Sequence, residues 1–464
     1  MLEEIHPSQF HSVHLHEDMC KGCTICVTGC PVEAIRVHDG KAHILEEKCI
    51  DCGECIRRCP NNAKYALAAD SIDVKKFKYS AALVAPAIYG QFNVHYSAKM
   101  IHEALVSIGF TEVFDVAEDA LEISRATAEL IDSVADGTCT LPVQKPLISS
   151  SCPTVIKLIQ VRFPSLIENI LPLLPPVELC ARRARKTLAQ KHNLSEEDSK
   201  TKIGIFLIAP CPAKITVARS PLGYEHSEID EVCSIGSLYL PLVTKLRKKR
   251  DELKEEEKKF AEGDNNFAPV KKSNEEETAD GIAWGRECGE SEYISRYLKH
   301  PEKFNWITTC GLKQVIETLE AIEDGQLESY DFAEIDACEG GCLGGPLMVK
   351  AISESSAILR NRLRTMTECT NKKVIPEEKN VEFSEQIIPR PARQLSADFK
   401  KAKSMMEKLE EIVEQLPGLD CGSCGAPNCR ALAEDIVRGK AHLEDCVTIM
   451  KSRYEDLLFG KKKK

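Results

Sequence analysis

The sequence predicts an α/β middle domain carrying a small α+β head and a small helical tail. Three observations predict it. The run "IGIFLIA" reads as a buried strand that stops at a proline and a cysteine, Pro210 and Cys211. The 22 cysteines are partitioned, with eight in residues 20–59, four in 421–446 and ten spread over 139–369. The 464 residues suit about three domains at roughly 150 residues each. The boundaries that follow are 1–76, 77–395 and 396–464.

The head contains "CKGCTICVTGCP" and "CIDCGECIRRCP", two copies of C-x2-C-x2-C-x3-C-P whose first cysteines, Cys20 and Cys49, lie 29 residues apart. The repeat resembles the bacterial two-cluster ferredoxins. There, three closely spaced thiolates grip one cluster from a tight loop and the fourth reaches across to the other. The resemblance implies that Cys20, Cys23, Cys26 and Cys59 hold one 4Fe-4S cluster, and that Cys49, Cys52, Cys55 and Cys30 hold the second. Zinc also takes C-x2-C pairs and is the alternative, disfavoured by two complete four-cysteine repeats with both prolines. Between the loops, "EAIRVHDGKAHILEE" alternates around Asp-Gly and predicts a short hairpin.

The tail holds Cys421, Cys424, Cys429 and Cys446 in a C-x2-C-x4-C-x16-C set. Glycines beside the first two thiolates let the backbone pass close to an inorganic cluster. The set is similar to small four-cysteine 4Fe-4S domains of redox-complex subunits and sensor proteins; a zinc knuckle is the alternative. Upstream, Phe399, Ala402, Met406, Leu409 and Val413 form a helical stripe, expected to pack on the middle domain. Residues 245–280 carry 21 charges in 36 positions. They are expected to form a surface insertion, first a solvated helix and then a loop.

The composition excludes some functions. A formal net charge of −11 argues against nucleic acid as a partner. No apolar run reaches the roughly 18 residues of a membrane helix, and the first residues show no signal pattern. The expected setting is the cytoplasm, where cysteines in this number are metal ligands rather than disulfides.

Three middle fragments remain: "ISSSCPTVIKLIQVRFPSLI", "IGIFLIAPCPAKITVARSP" and "AEIDACEGGCLGGPLMV". A helix is expected just after Cys152, and glycines surround Cys338 and Cys342. Strand ends and glycine-rich turns are where open α/β sheets place ligands. Together the fragments resemble the signatures of the di-iron (FeFe) hydrogenases, approximately TSCCPxW, MPCxxKxxE and MACxxGCxxGGGQP. The resemblance covers about residues 79–350. It implies two small parallel-sheet lobes flanked by helices, with an H-cluster at their junction. Cys152, Cys211, Cys338 and Cys342 would hold the 4Fe-4S part of that cluster. Cys342 would bridge to a di-iron subsite with CO, cyanide and dithiolate ligands. Lys214 is placed to donate to one cyanide. Ala85, Pro86 and Ala87, in "AALVAPAIYG", line the strand end facing the other. Ala209 and Gly345 fall within the cofactor-binding motifs.

The departures from the family pattern are as informative. Ser151 replaces the proton-relaying cysteine of TSCCP, and a hydroxyl is a much poorer acid than a thiol. Val217 replaces the glutamate of MPCxxKxxE, Ala209 and Asp336 replace two methionines, and Ala87 replaces a serine. Asp336, Glu339, Cys288 and Glu287 offer a detour for protons. Cys139, Cys180, Cys233, Cys310 and Cys369 are expected to pack as small hydrophobes. His11, His14 and His16 read as part of a short strand.

These departures resemble the divergent sensory members of the family. The expected activity is reversible oxidation of H2 to protons and electrons, slow and serving H2 or redox sensing. A metabolic hydrogenase with a rerouted proton path is the second reading. A non-enzymatic iron–sulfur protein without the di-iron subsite is the third. The partners implied are a ferredoxin-like electron carrier, hydrogenase maturation proteins and, for sensing, a separate signalling partner.

Overall fold

The computed structural model describes residues 10–68, 73–261, 281–366 and 381–459, apart from 391, 393 and 397, with the backbone alone described for 256–261. The chain divides into two compact units. One holds residues up to 67 with 157–164 and 389–464, and the other holds 68–156 and 165–388. Head and tail therefore share a unit.

In the first unit, strand β1 (Val13–Leu15) is completed only after both cysteine loops. It pairs antiparallel with β4 (Lys64–Ala66), which lies beyond the intervening hairpin of β2 (Ile35–His38) and β3 (Lys41–Ile44). The hairpin turns through Asp39 and Gly40, both left-handed at φ 50° and 72°, the geometry that favours Asp-Gly between twisted strands. The 29-residue repeat is visible in hydrogen bonds. Ala34 N–H donates to Cys30 Sγ and Ala63 N–H donates to Cys59 Sγ, each at 3.2 Å. Asp51 is fully buried and accepts from Ser12 N at 2.9 Å and Lys157 Nζ at 2.5 Å.

The tail helix Phe399–Gln415 packs on the helix Cys429–Val437, burying Leu409, Leu416, Leu432 and Ala433. This corrects the expectation for its stripe: the helix lies in the unit shared by head and tail and closes the tail's own core. Phe399 stays 82% exposed, because the apolar face extends past the short helix that covers it. The cysteine loop of the tail lies against the head. Val37 N–H donates to Gly425 O at 2.9 Å, and the buried Arg36 guanidinium pairs with Asp435. A Cβ on Gly425 would come within 2.0 Å of Val37 O.

The second unit contains two parallel sheets. The larger has the order β6 (Glu112–Asp115), β5 (Tyr79–Val84), β8 (Ile203–Ala209) and β9 (Glu231–Ser234), and the smaller has β10 (Trp306–Cys310), β11 (Phe332–Asp336) and β7 (Leu147–Ile148). Every residue of β8 is buried, as expected of an inner strand covered by helices on both faces. Phe206 and Ile208 from β8 pack with Ile101, Leu105 and Leu242 from flanking helices. The smaller sheet has its own core around Leu147, Phe304 and Phe332. The charged segment begins inside the helix Ile235–Ala261, and buried Leu246 anchors its first turns. Residues 262–280 and Cys369 lie outside the described residues.

Candidate metal centre and its carboxylate neighbours

Two parallel sheets of the second unit aim their C-terminal strand ends at one place. β5 ends at Ala85, and the turn Pro86–Gly90 follows. β8 ends at Ala209, and Cys211 precedes the helix Pro212–Arg219. β7 leads through Ser149–Ser151 to Cys152 and the helix Pro153–Arg162. β11 ends at Asp336 and leads to Cys338 and the tight turn Gly341–Gly344. Prolines at the first helical positions suit these sharp exits, since their missing N–H has no partner there anyway. Gly345 allows the close approach. A Cβ on Gly345 would lie 2.3 Å from Pro210 O, and one on Gly285 would touch Pro86 and the Cys342 side chain.

The side chains meet as well. Lys214 Nζ lies 3.7 Å from Cys342 Sγ. Burial opposes the Lys214 charge, but Cys342, Cys211 and Cys152 in their thiolate forms, with Asp336, outweigh it and raise the lysine well above its ordinary value. Burial pushes the Cys152 thiol up to about 11 and the Cys342 thiol up to about 12. Cys338 shares the loop of Cys342, which Gly341 N–H closes onto Cys338 O at 3.1 Å. Thiols held this high are proton-bound unless a metal displaces the proton, so metal binding here releases protons.

A cavity beside these cysteines is lined by Ala85, Pro86, Ala87, Ser151, Lys214 and Cys342, and also by three acids: Glu290, Glu334 and Asp336. Among the described residues, Ser151 Oγ and Glu290 Oε1 are buried without a partner at full hydrogen-bond geometry, although Ser151 lies close enough to Glu290 to favour its charged form. Glu290 Oε2 accepts from Ser149 Oγ at 2.6 Å, and Glu334 Oε2 accepts from Ser291 N at 2.8 Å. Burial first, and the neighbouring Glu334 charge second, hold Glu290 well above the carboxylate range. Burial and Asp336 push Glu334 up to about 7, and burial lifts Asp336 to about 6.

Of the proposed proton groups, only Ser151 and Asp336 line this cavity. Glu287 and Glu339 are exposed, although Glu287 lies close enough to raise Asp336. Cys288 is half-buried at φ 64° and starts the helix Gly289–Ser295. Sequence reasoning misses Glu290 and Glu334. Glu334 had a signal: it stands two residues before Asp336 on an otherwise apolar strand, and residues i and i+2 share a face. Glu290 had none, because its burial depends on the fold of the whole loop.

In the metal-free chain, Glu334 stays protonated when folded but ionises from 4.5 upward when unfolded. The folded state then binds more protons, so stability falls as pH rises toward about 7 and levels off beyond. Glu334→Gln is expected to remove a loss of roughly 3 kcal/mol across that window. Denaturation of both proteins at several pH values measures it.

The head cysteines fall into two sets. Burial raises Cys26 first, and thiolate charge on Cys23, Cys20 and Cys59 adds to it. Cys52 is pushed well up by burial and then by Cys30, Cys55 and Cys49. Cys59 of the second repeat is thus in electrostatic range of Cys26, and Cys30 of the first in range of Cys52. In the tail, Cys424 is raised by burial, then by Cys446 and Cys421. Cys421 is exposed and Cys446 buried.

Among known proteins, an uncharacterized protein of Methanocaldococcus jannaschii is 36% identical over 53 residues, 11% of this chain and 24% of its own length. The corrinoid/iron-sulfur protein large subunit of Moorella thermoacetica is 43% identical over 47 residues, 10% of each chain. A component of the ion-translocating oxidoreductase complex of Rhodobacter capsulatus is 47% identical over 38 residues, 8% of this chain and 20% of its own. The chain thus spans about a quarter or less of these curated relatives. An FeFe hydrogenase from Chlamydomonas reinhardtii superposes with a TM-score of 0.43 at 18% identity, over 64% of this chain and 88% of that one. Family models for a 4Fe-4S dicluster domain and an Fe-S cluster domain match residues 12–60 and 416–448. No described helix is long and apolar enough to cross a membrane. A further model, described as iron only hydrogenase large subunit, C-terminal domain, matches residues 78–346, more than half of the 464, and the chain belongs to that family.

Proposed function

We propose that the protein is an FeFe hydrogenase that turns over H2 slowly, in an H2- or redox-sensing role. In this reading, Cys152, Cys211, Cys338 and Cys342 hold an H-cluster. The two head sets and the tail set hold three further 4Fe-4S clusters. The head is residues 1–76, the H-cluster domain 77–395 and the tail 396–464. The observation that carries the reading is the contact between Lys214 Nζ and Cys342 Sγ, at the meeting of strand ends that also bring Cys152 and Cys211 into range.

The residues fit the group. A buried ammonium among three thiols needs an anionic centre, and the buried Ser151 and Glu290 oxygens leave room for a polar partner in the cavity. When bound, the H-cluster supplies the site at which dihydrogen and its protons and electrons interconvert. Lys214 holds its charge beside Cys342 and orients whatever anionic ligand lies there. Glu290 Oε1 gives a proton to the cavity while its Oε2 takes one from Ser149 Oγ, which donates to it across 2.6 Å. Asp336 offers a second stop toward exposed Glu287. The absent thiol at Ser151 is the reason that slow turnover is expected. The cytoplasm, maturation proteins, a ferredoxin-like carrier and a separate signalling partner complete the proposal.

Infrared spectra of protein matured with a synthetic di-iron complex test it. CO and cyanide stretches are expected. Their absence would instead favour an iron–sulfur protein without the subsite, and evolution at a metabolic rate would end the sensing role. Ser151→Cys is expected to raise the evolution rate by about 10²-fold or more, because it restores the missing thiol; a change of less than about tenfold would show that protons already reach the site by another route, such as Glu290.

A further inference from the structure

Lys64 stands at an odd place in the head. The 29-residue repeat that maps Cys30 onto Cys59 and Ala34 onto Ala63 also maps Ile35 onto Lys64. Ile35 is an ordinary core residue, 2% exposed. Its counterpart is a lysine that is just as deeply enclosed, at 3%. The ammonium has no hydrogen-bond partner among the described residues. Lys157, a lysine of this unit buried to the same degree, pairs with Asp51. An unpaired ammonium away from water is strongly disfavoured, and a fold keeps one only where a counter-charge is near. The groups in electrostatic range of Lys64 are cysteines: Cys26 and Cys59 of one set and Cys55 of the other.

We infer that Lys64 is the shared counter-charge of the two head clusters and a positioning residue for their reduction potentials. Adding one electron to either cluster makes it more negative by one charge, and no bond or proton need change. A fixed positive charge in a dry setting stabilises the reduced form more than the oxidised one. Lys64 therefore raises the potential of the clusters it faces. Electrons leaving the H2 site are held in the head more readily, which suits a protein that reports H2 rather than one that spends electrons to make it. This last step rests on the proposed function; the effect on potential does not.

The test uses the full chain with its clusters reconstituted from iron and sulfide, without any di-iron complex. Dithionite titration followed by electron paramagnetic resonance gives the head midpoint potentials. Lys64→Ile, the repeat's own residue, and Lys64→Gln are expected to shift them to lower values, while Lys64→Arg keeps them near wild type. Unchanged potentials in Lys64→Gln with full iron content would overturn the inference. So would an equal downward shift in Lys64→Arg, since that would show shape rather than charge at work. If Lys64→Ile fails to load iron, the Gln and Arg pair still decides. Failure of hydrogen chemistry in the infrared experiment leaves this measurement unaffected.

Discussion

Glu290→Gln is expected to slow hydrogen evolution by about 10²–10⁴-fold, the usual worth of a positioned proton donor. Glutamine is a fair copy of the protonated side chain, the form that burial and Glu334 favour. Shape and charge are therefore retained, and the amide can still meet Ser149 Oγ. What it loses is the ability to take a proton on one oxygen and give one from the other. Infrared bands of the matured protein should be the same in wild type and variant, so that the rate alone changes. An unchanged rate would mean that protons arrive by Glu287 and Asp336 instead.

Lys214→Ala is expected to weaken retention of the synthetic di-iron complex by about 10–100-fold, the range seen when an outer-shell partner of a metal site is removed. The wild-type ammonium sits among Cys342, Cys211, Cys152 and Asp336 and is the cation that offsets them. Its removal leaves negative charge buried without compensation, and a charged hydrogen-bond donor is lost at the same time. The readout is the intensity of the CO and cyanide bands per protein after gel filtration. Equal intensity in the variant would show that the lysine is packing rather than holding charge.

Some of this was legible in the chain itself. The parallel sheets followed from fully apolar runs such as Ile203–Ala209 that stop at proline and cysteine. The hairpin followed from Asp39-Gly40 inside an alternating segment. Both are local signals, in which a residue's neighbours in sequence are also its neighbours in space. The helix from Phe399 was legible as a helix but not in its packing, because an amphipathic stripe says only that something covers it. Cys180 and Cys233 are buried as expected of small hydrophobes.

The sequence by itself determined which thiols were available to bind metal, through their spacing in three clusters and three signature fragments, and it placed a serine, Ser151, immediately before Cys152. Only the tertiary structure decided which acids surround the site and which lysine is left unpaired. Glu290 and Glu334 lie 44 residues apart in the chain. Burial raises the proton affinity of both, and a neighbouring carboxylate adds to it: Glu334 for Glu290, Asp336 for Glu334. Desolvation and charge coupling depend on what surrounds a group in space. That surrounding comes from distant segments, so no local stretch of sequence specifies it.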